Sequence, residues 1–172
     1  ATDYQFNNMG ADLKNFSFPS RHTNLVAFAS TYRLGGLSLQ GSLLGTFVKE
    51  SVEMNTSAPD KNVWTPTIIA NYQPFKSHDF NVRAFYKRIF RMPTFNDLYY
   101  TNIGYSNLRP EYSTQYNVGF TYSKSTPNFF KNITIQADAF YNEVTDKIVA
   151  APSGSLFRFT MLNLDEVRIK GL

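Results

Sequence analysis

The feature that most limits this chain is a strict two-residue alternation repeated along most of its length. Tyr116, Val118, Phe120 and Tyr122 fall on one face, and Gln115, Asn117, Gly119 and Thr121 on the other. Ile133, Ile135, Ala137, Ala139 and Tyr141 likewise oppose Thr134, Gln136, Asp138, Phe140 and Asn142. The same period runs through residues 23–33, 38–48, 64–72 and 80–90. A period of two is the signature of a strand with two unlike faces. Six strands follow, and residues 167–172 read as the start of a seventh. No stretch has the 3.6-residue period of an amphipathic helix. The strands match the ~9–11 residues of a tilted strand crossing a bilayer rather than the ~5–6 of soluble strands. Pro66 interrupts one of them and belongs at a bulge or in the strand's outer end, because proline cannot donate to a ladder.

The connections sharpen this reading. Leu34-Gly35-Gly36 is a tight hairpin turn. Short and long connections then roughly alternate, the longest being residues 91–112. In a meander, alternate connections lie at the same end, so one end is tight and the other carries long loops. Membrane barrels are built that way. Trp64, Tyr72, Tyr122, Tyr141 and Phe47 lie near strand ends, where a bilayer interface favours amphipathic rings. Thr46, Arg83, Gln115, Asn117, Gln136 and Asp138 are expected to face a wet lumen. The expected fold is all-β: an antiparallel up-and-down meander forming an arc of a large transmembrane β-barrel.

Composition excludes other classes. Among 172 residues there are 16 Phe, 11 Tyr and 1 Trp, an aromatic content that suits strands. There is no cysteine, so disulfides and thiolate metal sites are excluded. The net charge is +4 and the basic residues are scattered, so no nucleic-acid partner is expected. His22 and His78 lack ligand spacing, and no Gly-x-Ser-x-Gly elbow occurs. Neither an enzyme nor a metal or cofactor site is expected. Glu143 and Asp146 read as solvated turn residues. The best binding candidates are the loop aromatics Phe95, Tyr99, Tyr100 and Tyr105, since tyrosine offers rigid area with a polar tip. Equally, those rings serve to pack the loop. Arg91 and Glu111 read as a buried charge pair pinning the two ends of the loop.

Two segments carry a family resemblance. Phe90-Arg91-Met92-Pro93-Thr94, followed by Asp97-Leu98-Tyr99, resembles the Phe-Arg-Ala-Pro-Thr box of TonB-dependent outer-membrane receptors, with Met92 in place of the usual Ala. Asn107-Leu108-Arg109-Pro110-Glu111 resembles the Asn-Leu-Lys/Arg-Pro-Glu box that follows it. The stretch Phe140-Tyr141-Asn142 through Asp146 and Ile148, then Asn163 and Val167-Arg168-Ile169-Lys170-Gly171-Leu172, is similar to the family's next strands. On this resemblance Phe90, Arg91, Pro93, Asn107, Leu108, Pro110 and Glu111 are structural motif residues.

The resemblance implies a bacterial outer-membrane receptor, a barrel of 22 strands around a plug. It would actively import a chelated metal such as an iron siderophore, cobalamin or another scarce nutrient, energised through the TonB complex. The implied partners are outer-membrane lipid, the receptor's own plug domain, TonB and a small-molecule ligand. So few residues cannot hold the whole barrel, so residues 1–172 are expected to be one piece of its wall, without the plug. Two other readings stand beside this one: a complete eight-stranded outer-membrane barrel, and a soluble β-sandwich binding module. Haem receptors of this kind carry a histidine between the two boxes. Residues 94–106 hold none, which points away from haem.

Overall fold

The computed structural model describes residues 1–6, 17–54, 56–75, 79–100, 103–125, 132–154 and 158–172. Its strands are β1 (Thr2–Phe6), β2 (Ser20–Leu34), β3 (Leu37–Ser51), β4 (Lys61–Tyr72), β5 (Asp79–Arg91), β6 (Glu111–Ser125), β7 (Asn132–Pro152) and β8 (Phe159–Gly171), with a one-turn helix α1 (Phe95–Tyr99) between β5 and β6. They form one sheet in the order β1-β2-β3-β4-β5-β6-β7-β8, every neighbouring pair antiparallel and the two edges unjoined. This is the expected meander.

The strand count differs from the sequence reading. β1 is added because five residues are too few for alternation to stand out. β7 runs through Glu143 and Asp146 to Pro152, so these carboxylates belong to a strand and not to a turn. Asp146 does adopt a left-handed backbone (φ 55°), and the β7–β8 ladder omits its pairing while keeping register on both sides. Helix α1 is also unforeseen.

The strand ends segregate as expected. β2, β4 and β6 finish, and β3, β5 and β7 start, at one end of the sheet, where the tight turn at residues 35–36 lies; β1, β3, β5 and β7 finish, and β2, β4, β6 and β8 start, at the other, the long-loop end, which carries residues 92–100 and 103–110. Pro66 pairs with Leu43 in unbroken register, so there is no bulge. Pairing of β4 with β5 stops at the Thr67–Lys87 pair although β5 continues to Arg91, so Pro66 lies where the two strands have parted and its missing donor costs no β4–β5 bond; it is neither at a bulge nor in a protruding end.

Residues directly opposite in a ladder share a face. Val118 lies between Ala84 and Ala139, and Phe120 between Val82 and Ala137, all on the outer face. Asn117 lies between Phe85 and Phe140 on the inner face. Val118 and Ile135 each keep 52% of their surface exposed, and Phe28 61%. The outer rings contact one another across strands: Tyr86, Tyr116 and Tyr141 form a row at 5.3 and 6.2 Å, and Trp64 meets Phe47 edge-on at 5.7 Å.

The outer apolar stripe is staggered. On one row of partners lie Gly41, Ile68, Tyr86, Tyr116 and Tyr141. Beyond it toward the long loops, the next outward residues on β5, β6 and β7 are Arg88, Thr114 and Glu143. On β4 the stripe continues to Trp64, and on β3 to Phe47.

The inner face is more polar. At mid-height Arg83, Gly119 and Asp138 are partners across three strands. Arg83 donates to Asp138 (Nη2 to Oδ1, 2.7 Å) and to Thr121 Oγ1 (2.9 Å), over Gly119. A Cβ at Gly119 would collide with the Asp138 carboxylate, so glycine there lets the two charges meet. Ile69, Phe85 and Phe140 also sit on this face, so it is not uniformly polar.

A sheet with such an outer face is ill suited to water, because soluble monomers tolerate apolar patches of only a few hundred Å². Its two edges also offer unpaired backbone groups. The 172-residue chain, purified alone without detergent, is therefore expected to self-associate. Light scattering that found a monodisperse monomer would contradict this.

Candidate functional site

The packed core lies at the long-loop end, on the inner side. Its centre is Ala58, Leu98, Tyr99, Leu108 and Ile148, with Val52, Phe95 and Met161 against it. The segment joining β5 to β6 builds it. Thr94 caps α1 through a reciprocal pair: Asp97 N donates to Thr94 Oγ1 (3.2 Å), and Thr94 N to Asp97 Oδ2 (2.8 Å). Gly104 N then donates to Tyr100 O (2.7 Å), and Tyr105 N to Asp97 O (2.9 Å). A Cβ at Gly104 would sit within 2.6–2.8 Å of the Leu98 and Tyr100 backbone, so this close return requires glycine.

One end of the segment is fastened to β2 and β3. Arg21 and Glu50 are partners in the β2–β3 ladder, and their ion pair measures 2.7 Å with the Glu50 side chain fully buried. Arg21 also donates to Pro93 O (2.8 Å) and lies 4.9 Å from the centre of the Phe95 ring. Tyr99 donates to Glu50 Oε1 (2.6 Å) and accepts from Ala58 N (3.0 Å). Burial, and then the bond to the Glu50 carboxylate, raise the Tyr99 phenol well above its ordinary value.

The other end is fastened to β7 and β8. Asn163 donates to the carbonyls of Arg109 (2.9 Å) and Asp146 (2.8 Å) and accepts from Arg109 N (2.8 Å). Arg109 pairs with Asp146 at 2.7 Å, and Met161 N donates to Ile103 O (3.0 Å). Glu111 is buried and takes Lys147 Nζ (3.1 Å) and Ile148 N (3.3 Å).

The expected Arg91–Glu111 pair is present across the base of the loop, but at 3.6 Å with half of the Arg91 side chain exposed. It is therefore not the buried pair that was expected; that role belongs to Arg21 and Glu50. Sequence reasoning missed this pair, although the tight turn at residues 35–36 sets the register that aligns the two.

The aromatic candidates divide. Tyr99 is buried with both hydrogen-bonding directions used, and Phe95 covers Arg21. Tyr100 and Tyr105 stay exposed. Of the motif residues, Pro93, Leu108, Pro110 and Glu111 are buried, whereas Asn107 is exposed. Phe90 faces Tyr112 on the outer side, its ring 5.5 Å away. His22 lies opposite Tyr4 on β1, and His78 falls outside the described residues. The segment thus packs into one cluster and leaves the Tyr100 and Tyr105 rings exposed.

Comparison with known proteins places this architecture. A family model described as TonB dependent receptor-like, beta-barrel, matches residues 2–172. A vitamin B12 transporter BtuB of Vibrio vulnificus is 36% identical over 83 residues, covering 48% of this chain and 13% of that protein. A vitamin B12 transporter BtuB of Photobacterium profundum is 26% identical over 155 residues, covering 88% of this chain and 23% of that protein. The chain thus spans less than a quarter of the length of these curated relatives.

Proposed function

Because the chain belongs to the TonB-dependent receptor β-barrel family, we propose that it forms part of the wall and mouth of an outer-membrane transporter for cobalamin, driven through TonB. The observation that carries the ligand is the similarity to two proteins named as vitamin B12 transporters. The lack of histidine between the two boxes agrees with it, since imidazole is a natural ligand for haem iron. The outer stripe would face lipid, and the inner face would meet the plug, which lies in another part of the receptor. Tyr100 and Tyr105 would offer aromatic area to the cargo at the mouth.

The test is direct binding to the full-length receptor. Cyanocobalamin is expected to bind, and to bind more tightly than haem or a ferric siderophore. Preference for either of the others would overturn the ligand assignment and leave the family unaffected.

A further inference from the structure

The segment between β5 and β6 does more than close a hairpin. Its strands are neighbours, yet it reaches past both. Residues 92–100 extend to β2 and β3, where Pro93 and Tyr99 meet Arg21 and Glu50. Residues 103–110 extend to β8, where Ile103 and Arg109 meet Met161 and Asn163. The segment therefore spans the inner side of the arc from β2 to β8.

Moving it would be costly at both ends. At the first, Leu98 at 2% exposure and the fully buried Pro93 would have to enter water. Glu50 would lose Tyr99, and Arg21 would lose the Pro93 carbonyl. At the second, Leu108 at 4% would be uncovered, and Asn163 would lose both bonds to the Arg109 backbone. Mobile loops have few buried apolar contacts and solvent-exposed hydrogen bonds. This segment has the opposite character.

We infer that residues 92–100 and 103–110 form a fixed brace across the mouth, with Arg21, Glu50, Tyr99 and Asn163 as its positioning residues, so that cargo passes beside the brace and not beneath a lid that opens. The inference rests on reading the long-loop end as the mouth of a transporter. It assigns the selecting surface to a static edge carrying Tyr100 and Tyr105.

The test is a distance measurement in the full-length receptor. Spin labels go on Asn107→Cys, exposed on the brace, and on Ser30→Cys, on the outer face of β2; this chain contributes no cysteine of its own. A single narrow distance population is expected, with no shift on adding cyanocobalamin. Asn163→Ala is expected to add a second population by releasing the β8 end. Two populations in the receptor without that change, a shift with cyanocobalamin, or an unchanged distance in Asn163→Ala would each overturn the inference. Failure of cyanocobalamin to bind would be seen separately and would count against the ligand assignment. The distances without ligand would still decide the brace.

Discussion

Replacing Glu50 by alanine is expected to weaken the anchoring of residues 92–110 by about 3–5 kcal/mol, the range found when one partner of a buried ion pair is removed. The variant leaves the buried Arg21 without the carboxylate it pairs with, and it strips the Tyr99 hydroxyl of its acceptor. Protease cutting within this segment of the folded, full-length receptor is the measurement. It is expected to accelerate by roughly two to four orders of magnitude, since each ~1.4 kcal/mol is tenfold in the open population. Arg91→Ala is the control. Its pair with Glu111 is long and half exposed, and such pairs contribute ~0–1 kcal/mol. Equal cutting rates in the two variants would refute the ranking of the two ion pairs.

Val118→Arg is expected to hinder assembly of the receptor in the outer membrane, at a cost of ~2–4 kcal/mol for a cation facing lipid near the midplane. Val118 lies between Ala84 and Ala139 on the outer face. Asn117→Arg, one residue away on the inner face, is expected to leave assembly intact and to alter transport. The check is the folded fraction recovered from membranes, read by heat-modifiable mobility on a gel. Equal loss in both variants would contradict the facing assignment, because a shift of one residue exchanges the two faces.

Much of the fold was legible because each strand states its own two faces. Tyr116 to Tyr122 needed nothing beyond alternation, and the loop boxes named the segment that builds the core. What escaped was non-local or too short. Five residues of β1 cannot display a period. The charges of Glu143, Asp146 and Lys147 mimic a turn, although Lys147 and Asp146 have partners from the β5–β6 segment and the start of β6. Thr94-Phe95-Asn96-Asp97 is a legible capping box, but a single turn of helix leaves no 3.6-residue period. Arg21 and Glu50 are 29 positions apart, and only the hairpin register brings them together. The division of the tyrosines depends on which hydroxyl reaches Glu50, and no local pattern encodes that.

The stagger of the outer stripe sets the height of the rim. Between Tyr141 on β7 and Phe47 on β3 the stripe slips by the six residues separating Gly41 from Phe47, over four strand steps. With a rise of ~3.3 Å per residue and a spacing of ~4.8 Å between strands, this corresponds to a tilt of about 45° from the membrane normal. β3 continues only to Ser51 beyond its stripe, whereas β7 continues from Tyr141 to Pro152. In the proposed transporter, at that tilt, β3 would clear the lipid by roughly 10 Å and β7 by roughly 25 Å. The mouth of that transporter would therefore be lopsided: a parapet on the β7–β8 side and a low sill on the β3 side, over which a bulky cargo would arrive obliquely.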